Sequence, residues 1–131
     1  MNVGLMANDS KKKLMQDFCI AYRGILSKHN LFATGTTGRL IEEVTNLNVK
    51  KFLSGRLGGE QQLGAQIEHN VIDLMIFLRD PLTPVSKEME LNQIIKLCDS
   101  NSIPLATNLA TAEVLIKSLE RGELEWRDAY K

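Results

Sequence analysis

The sequence predicts an α/β fold, a single doubly wound sheet of five mainly parallel strands with helices on both faces. Three observations lead to this prediction. Short apolar runs alternate with helical stripes along the chain. Residues 73–78 are almost wholly apolar, as a central strand buried on both faces should be. The length of 131 residues suits one domain, expected to span residues 1–131.

Strands are expected wherever a short apolar run is bounded by polar or turn residues. The first run opens the chain, and the fourth, which contains Ile76, is the most apolar. The fifth follows a polar stretch that ends at Ser102. The predicted strands are residues 2–7, 31–34, 49–53, 73–78 and 103–107.

Helices are expected where apolar residues recur every three or four positions. The first has Phe18 and Tyr22 facing inward, and the last is expected to be capped by Thr111 and to end near Gly122. The predicted helices are residues 11–28, 39–46, 61–70, 87–100 and 111–122. In the polar tail that follows, we expect Leu124, Trp126 and Tyr130 to dock on a subunit or helix face.

Composition excludes several classes of function. Sixteen basic and sixteen acidic residues balance to zero, so no overall field draws the chain to nucleic acid or to an anionic membrane. The longest strongly apolar run falls far short of the roughly 20 residues that span a bilayer. Cys19 and Cys98 fit apolar stripes and are predicted to be core residues. We expect a cytoplasmic protein with no cofactor, and no metal site because His29 and His69 are isolated.

Three consecutive lysines, residues 11–13, begin the first predicted helix, where the helix dipole disfavours cations by about 0.3–1 kcal/mol each. One interpretation is that one of these lysines turns into the cleft at the carboxyl ends of the strands and holds an anion. The other is a solvated lysine face with Asp9 or Ser10 as the cap.

The segment from Thr34 to Gly38, Thr-Gly-Thr-Thr-Gly, lies between a predicted strand and a predicted helix. Its hydroxyls, glycines and helix N-terminal amides can cradle a phosphate, although it could also be an ordinary turn with threonine caps. Ser54 and Gly55 repeat this chemistry after the next strand. Two such loops beside a misplaced lysine favour a phosphate site.

Three carboxylates follow strand ends in the same region: Glu60, Asp80 and Glu90. A phosphate site needs no carboxylates, and bringing them close to it is repulsive, so they suggest acid–base chemistry on a phosphorylated substrate. Taken singly, Glu60 and Glu90 could simply favour helix N-termini, and Asp80 could be a turn residue before Pro81.

Four stretches together resemble methylglyoxal synthase: residues 33–38 (ATGTTG), 58–65 (GGEQQLGA), 77–82 (FLRDPL) and 103–108 (IPLATN). The resemblance runs from Met1 to about Trp126. It implies a cytoplasmic homohexamer of α/β subunits that converts dihydroxyacetone phosphate to methylglyoxal and inorganic phosphate without a cofactor. Phosphate is then a product and a candidate regulator.

The resemblance also implies roles for single residues. The phosphate cradle maps onto Lys12, Thr34, Thr36, Thr37, Ser54 and Gly55. The family's two catalytic aspartates fall on Glu60, the expected base, and Glu90, while an active-site aspartate is retained as Asp80. The assisting histidine falls on Lys87, and a second active-site histidine falls on Asn8. Arg56 stands where the family pattern has proline.

These departures lie at the chemical end of the site, whereas the phosphate end is intact. The alternative function is therefore a catalytically weak or inactive regulatory protein that binds a phosphate ligand, similar to the regulatory domain of carbamoyl phosphate synthetase.

Overall fold

The computed structural model describes residues 1–53, 58–83 and 85–131, and for residues 85–91 it describes the main chain. The strands are β1 (Asn2–Ala7), β2 (Asn30–Ala33), β3 (Val49–Lys51), β4 (Leu74–Leu78) and β5 (Leu105–Ala106). The helices are α1 (Lys12–Ala21), α2 (Arg23–Leu26), α3 (Gly35–Thr45), α4 (Gly59–Glu68), α5 (Val85–Ser100) and α6 (Leu109–Glu120). Short 3₁₀ helices occupy Asp9–Lys11 and Glu125–Tyr130.

The five strands form one sheet in the order β3-β2-β1-β4-β5, and every pairing is parallel. The chain moves outward from β1 to β3 and then crosses to the other side of β1 to form β4 and β5. The predicted α/β fold is therefore confirmed. Between β1 and β4 the strand order reverses, and in such sheets ligands bind at the carboxyl ends of the strands beside this point.

Side chains from successive strand positions enter two separate cores, because neighbouring residues of a strand point to opposite faces. Leu5 and Ile76 enter the core that α1, α3 and α6 cover. Met6 and Met75 enter the core under α4 and α5. The sheet is thus buried on both faces, which explains the apolar sequence of β4.

Gly4 lies on β1 in the middle of the sheet, facing the core under α4 and α5. A Cβ atom there would lie 2.6 Å from the sulfur of Met75. A larger residue at position 4 would therefore require the Met75 side chain to move within the packed core.

Cys19 and Cys98 are both free and fully buried, one in each core, as the sequence predicted. Burial raises the pKa of each thiol to about 12. Both cysteines therefore remain neutral and act as small apolar core residues.

A buried ion pair lies at the amino ends of the strands. Arg127, 1% exposed, lies 3.3 Å from the carboxylate of Asp73, which is 0% exposed. Lys131 Nζ lies 2.7 Å from the same carboxylate, and the backbone N–H of Asn2 donates to it at 2.8 Å. The Arg127 guanidinium also donates to Ser102 O, Asn70 Oδ1 and Ile72 O. This Asp73 cluster ties the C-terminal segment to the start of β1 and β4.

Several predicted boundaries of the first half of the chain were wrong. The first helix ends at Ala21, and a separate turn, α2, follows Tyr22. Helix α3 starts at Gly35, because the Thr-Gly-Thr-Thr-Gly segment is its first turn. It ends at Asn46, whose φ of 57° is left-handed and stops the helix.

Boundaries in the second half differ as well. Helix α5 starts at Val85, so Glu90 lies beyond the first turn in which it was expected. Strand β5 begins only after Pro104, which has no N–H to donate. Helix α6 is capped by Asn108, whose side chain accepts the N–H of Thr111, and the prediction that Thr111 is the cap was wrong.

The C-terminal segment packs against its own chain only in part. Leu124 is buried, whereas Trp126 and Tyr130 are 48% and 72% exposed and stack edge to face on each other. Buried Arg127 was not anticipated. None of the helices in the described ranges is long and apolar enough to cross a membrane.

Candidate active site

The loops that carry the candidate residues meet at one edge of the sheet. Asn8 follows β1, Thr34 follows β2, and Asp80 follows β4, and these three strands are neighbours in the sheet. Because all the strands are parallel, their carboxyl ends lie on the same side. Asn8, Thr34 and Asp80 therefore lie at the same edge, next to the reversal of strand order.

Lys12 is the lysine that turns toward this edge. Its Nζ donates to the carbonyl of Ala7 at 2.9 Å and to the Thr37 hydroxyl at 3.2 Å, and it lies 3.6 Å from Asp9. The side chain is only 19% exposed, whereas that of Lys13 is 76% exposed and pairs with Asp17. One lysine of the three is thus built into the structure beside the start of α3.

The start of α3 supplies the other groups of an anion site. Thr34, the N-cap residue, and Thr37 are buried, and their hydroxyls lie 3.5 Å apart. Thr36 is partly exposed, and its hydroxyl accepts from Arg39 at 3.5 Å. The N-terminal amides and the positive end of the helix dipole add to the charge of Lys12. This group of four residues, the phosphate cradle, is suited to an anion with several oxygens.

Two glycines allow α3 to sit where it does. The N–H of Gly35 donates to Leu53 O at 3.1 Å, which joins the helix to the chain after β3. A Cβ on Gly38 would lie 2.5 Å from Cγ of Lys51 on β3. The close approach of α3 to β3 therefore requires a glycine at position 38 or a displacement of the Lys51 side chain.

Glu60 is the second residue of α4, in the first turn of that helix. The residue before the helix, Gly58, has a φ of 102°, which favours glycine. One carboxylate oxygen of Glu60, Oε2, is shielded from solvent. The helix dipole stabilises the ionised carboxylate, which is the form that can accept a proton.

The carboxylate of Asp80 accepts the Ser10 hydroxyl at 2.7 Å and the Leu82 N–H at 2.9 Å. The hydrogen bond from Ser10, then that from Leu82, and the positive charge of Lys11 hold the pKa of Asp80 below its ordinary value. An ionised, hydrogen-bonded carboxylate of this kind orients other groups and balances charge more readily than it donates a proton.

Asn8 connects two of the loops. Its side-chain oxygen accepts the N–H of Asp80 at 2.7 Å and the hydroxyl of Thr83 at 3.2 Å. The backbone N–H of Asn8 donates to Leu78 O. The loops that follow β1 and β4 are thus joined by side chains as well as by the sheet.

The described geometry does not include the side chains of the remaining candidates. Ser54 and Gly55, and the neighbouring Arg56, lie outside the described residues. Lys87 and Glu90 lie on α5, but their side chains are not among the described groups. Within the described ranges, no group of three or more His, Cys, Asp and Glu residues is placed to hold a metal ion.

Sequence reasoning missed a second group of residues at the same edge. A cavity of about 330 Å³ at the ends of β4 and β5 is lined by Arg79, Pro81, Thr107 and Asn108. Sequence reasoning also missed Ser10, which contacts Asp80, and Thr83, which contacts Asn8. Their position directly after predicted strands was the available signal, but these residue types are too common in loops to stand out.

Comparison with known proteins shows the family. The model for the MGS-like domain matches residues 15–107. A methylglyoxal synthase from Caldicellulosiruptor saccharolyticus is 60% identical over 128 residues, which cover 98% of this chain and 91% of the relative. Another, from Thermoanaerobacterium thermosaccharolyticum, is 57% identical over 131 residues, covering 100% of this chain and 98% of the relative.

A solved structure agrees. The crystal structure of methylglyoxal synthase from Elizabethkingia anophelis superimposes with a TM-score of 0.80 and is 38% identical, covering 91% of this chain and 80% of that one. With its domain model matched and more than half of its residues shared with full-length relatives, this chain belongs to the methylglyoxal synthase family.

Proposed function

We propose that this protein is a lyase that converts dihydroxyacetone phosphate to methylglyoxal and inorganic phosphate. The observation that carries the proposal is the phosphate cradle, in which Lys12, Thr34, Thr36 and Thr37 meet at the N-terminus of α3. Family membership supports the same substrate. Ser54 and Gly55 complete the cradle in this proposal.

The reaction begins with removal of a proton from C3 of the substrate. The Glu60 carboxylate takes this proton, and the electron pair moves to the carbonyl to form an enediolate. Lys87 stabilises the negative oxygen in place of the family's histidine, while Asp80 and Glu90 orient groups and balance charge. The C3 oxygen then forms the aldehyde as its proton passes to the departing phosphate, the double bond shifts from C2–C3 to C1–C2, and the C1–O bond breaks. The enolate that remains takes up the proton held by Glu60 at C1 and becomes methylglyoxal.

The cradle fixes the substrate while this happens. When the cation, hydroxyls and amides hold the phosphate, the three-carbon chain of the substrate must place C3 beside the base. A small error in the position of C3 then has a large effect on the rate. The enediolate phosphate is also prone to lose phosphate in water, and a held phosphate group controls when the bond breaks.

The direct test is to follow methylglyoxal production from dihydroxyacetone phosphate, comparing Lys12→Met with Lys13→Met. Lys12→Met removes the buried ammonium, and loss of one charge-assisted contact of about 1.5–3 kcal/mol should weaken phosphate binding by roughly 10- to 100-fold. Lys13→Met removes an exposed lysine and should bind like wild type. Equal binding by the two variants, or no methylglyoxal from the wild type, would contradict the proposal.

We also propose a cytoplasmic homohexamer of single-domain subunits, in which inorganic phosphate is a product and a regulator. The exposed pair Trp126 and Tyr130 supports an assembly, because large aromatic side chains on a small protein are typical of interfaces. Light scattering decides the assembly state, and a mass near 14.7 kDa at micromolar concentration would exclude it.

A further inference from the structure

Five hydrogen bonds surround the turn Asp80–Thr83, which follows β4. Two lie inside it, from the N–H of Leu82 to Asp80 Oδ1 at 2.9 Å and from the N–H of Thr83 to Asp80 O at 3.0 Å. The other three join it to the segment after β1: Ser10 Oγ to Asp80 Oδ2, the N–H of Asp80 to Asn8 Oδ1, and the hydroxyl of Thr83 to Asn8 Oδ1. We call this set the β1–β4 latch.

The latch lies at the reversal of strand order. From β1 the chain leaves to α1 on one face of the sheet, and from β4 it leaves to α5 on the other face, so the two loops diverge. In sheets of this kind the ligand lies in the crevice between diverging loops. The latch therefore joins the two loops that diverge at this point.

Helix α5 begins at Val85, two residues after Thr83. The direction in which α5 leaves the sheet follows from the turn, and Lys87 and Glu90 lie on the first turns of that helix. A displacement of the turn is therefore expected to displace Lys87 and Glu90 as well. Asp80 itself is a member of both the latch and the proposed site.

We propose that Ser10 and Thr83 are positioning residues that hold Asp80 and the start of α5 in the arrangement needed for the reaction. Ser10 acts through the carboxylate of Asp80, and Thr83 acts through Asn8. Neither is assigned a contact with substrate. The inference rests on the proposed function for its kinetic readout, and on the described hydrogen bonds for its structural readout.

Asn8 explains why Thr83 is needed. An amide oxygen has two lone pairs and accepts two donors, and here both are used, by the N–H of Asp80 and the hydroxyl of Thr83. A single acceptor atom of Asn8 thus holds both the main chain of Asp80 and the side chain of Thr83.

The test compares Ser10→Ala with Ser10→Thr and with Ser27→Ala. Ser27 is an exposed serine whose hydroxyl donates to Gly24 O near the amino end of the sheet, so its loss controls for removal of a surface hydroxyl. Ser10→Ala should lower kcat about tenfold, because a misplacement of about 1 Å can cost roughly 100-fold, while KM changes less than about twofold. Ser10→Thr keeps the hydroxyl and should retain most of the activity, and Ser27→Ala should match wild type.

Thr83→Val and Thr83→Ser test the contact between Thr83 and Asn8 in the same way. Thr83→Val, which lacks the hydroxyl, should lower kcat, and Thr83→Ser, which keeps it, should retain most of the activity. Amide hydrogen exchange at Leu82 and Thr83 gives a readout that does not need turnover, and it should become faster in Ser10→Ala and stay unchanged in Ser27→Ala. Unchanged exchange and unchanged kcat in Ser10→Ala would overturn the latch, as would equal loss of kcat in Ser10→Ala and Ser10→Thr. If the wild type makes no methylglyoxal, the proposed reaction fails, and the exchange rates alone decide whether the latch exists.

Discussion

Glu60, the proposed base, is one methylene longer than the aspartate that the sequence resemblance implies at this position, and it lies at the start of α4. Its main chain is fixed by the left-handed Gly58 and by the first turn of α4. The extra length must therefore be absorbed by the side chain and the substrate. Substitutions of Glu60 can test whether it is the base and whether the length of its side chain limits the rate.

Glu60→Gln should lower turnover by about 10²- to 10⁴-fold, since the amide cannot accept the proton. Phosphate affinity should hardly change, because the cradle lies at the start of a different helix, α3. Kinetics with dihydroxyacetone phosphate and phosphate titration measure the two effects. Glu68→Gln, at the exposed end of the same helix, is the matched control. Turnover by Glu60→Gln at the wild-type rate would place the base elsewhere.

Glu60→Asp restores the length found in the family. If the longer side chain limits the rate, this change raises turnover, and it does so more in combination with Lys87→His because the base and the oxyanion donor act together. A fall in turnover for both variants would mean that the site is adapted to its own residues.

The sequence identified residues of the cradle but not their connections. Two hydroxyl- and glycine-bearing loops beside a lysine in the first turn of a helix favour anion binding over ordinary turns, so Lys12, Thr34 and Thr37 could be singled out. The latch could not be foreseen, since Ser10, Asn8 and Thr83 are ordinary loop residues. Their hydrogen bonds form because β1 and β4 are adjacent in the sheet. In the sequence, Asn8, which follows β1, is 66 residues before Leu74, the first residue of β4.

At the scale of single elements, the start of α6 is a point at which sequence and structure disagree. Asn108→Ala should destabilise the protein by about 1 kcal/mol, because it removes the acceptor for the N–H of Thr111. Thr111→Ala, in the first turn, should leave stability unchanged or raise it slightly, because alanine has the higher helix propensity. Urea denaturation measures both variants. An equal loss for the two would return the capping role to Thr111.

The presence of each strand and helix was predictable because hydrophobic residues recur with a clear period along this chain. The residues at which the elements begin and end were harder to predict. Helix α3 begins four residues before its prediction, since Gly35 and Gly38 are typical of turns but here permit close packing against β3. The first helix was drawn too long because apolar spacing continues through Tyr22, where the backbone leaves the helix. Boundaries depend on tertiary contacts that a periodic pattern does not contain.

For the whole molecule, the Asp73 cluster is expected to contribute most among the polar contacts. Arg127→Met removes the guanidinium from a buried carboxylate and should reduce the free energy of unfolding by about 3–5 kcal/mol. That is a large part of the 5–15 kcal/mol typical of a folded protein. Arg121→Met, which breaks an exposed ion pair with Glu123, should leave the free energy of unfolding nearly unchanged. Calorimetry or denaturant unfolding compares the two.

Arg127→Met with Asp73→Asn tests the cause. If the loss comes from leaving a charge buried, neutralising the carboxylate recovers part of it. If the double variant is as unstable as the sum of the two single ones, the contribution of Arg127 comes from its hydrogen bonds to Asn70, Ile72 and Ser102 instead. The cluster lies at the end of the sheet opposite the candidate site, so neither variant should alter phosphate affinity in the folded protein.

The central place of β1 in the sheet has a consequence during synthesis of the chain. One edge of β1 pairs with β2, which is complete at Ala33, but the other edge waits for β4, which is complete at Leu78. The ribosome must add 45 residues between these points (78 − 33), which takes about 2 to 9 s at roughly 5–20 residues per second. For that time the nascent chain presents an apolar strand with an open edge. Chaperone binding to this intermediate should therefore depend on the rate at which residues 34–78 are translated.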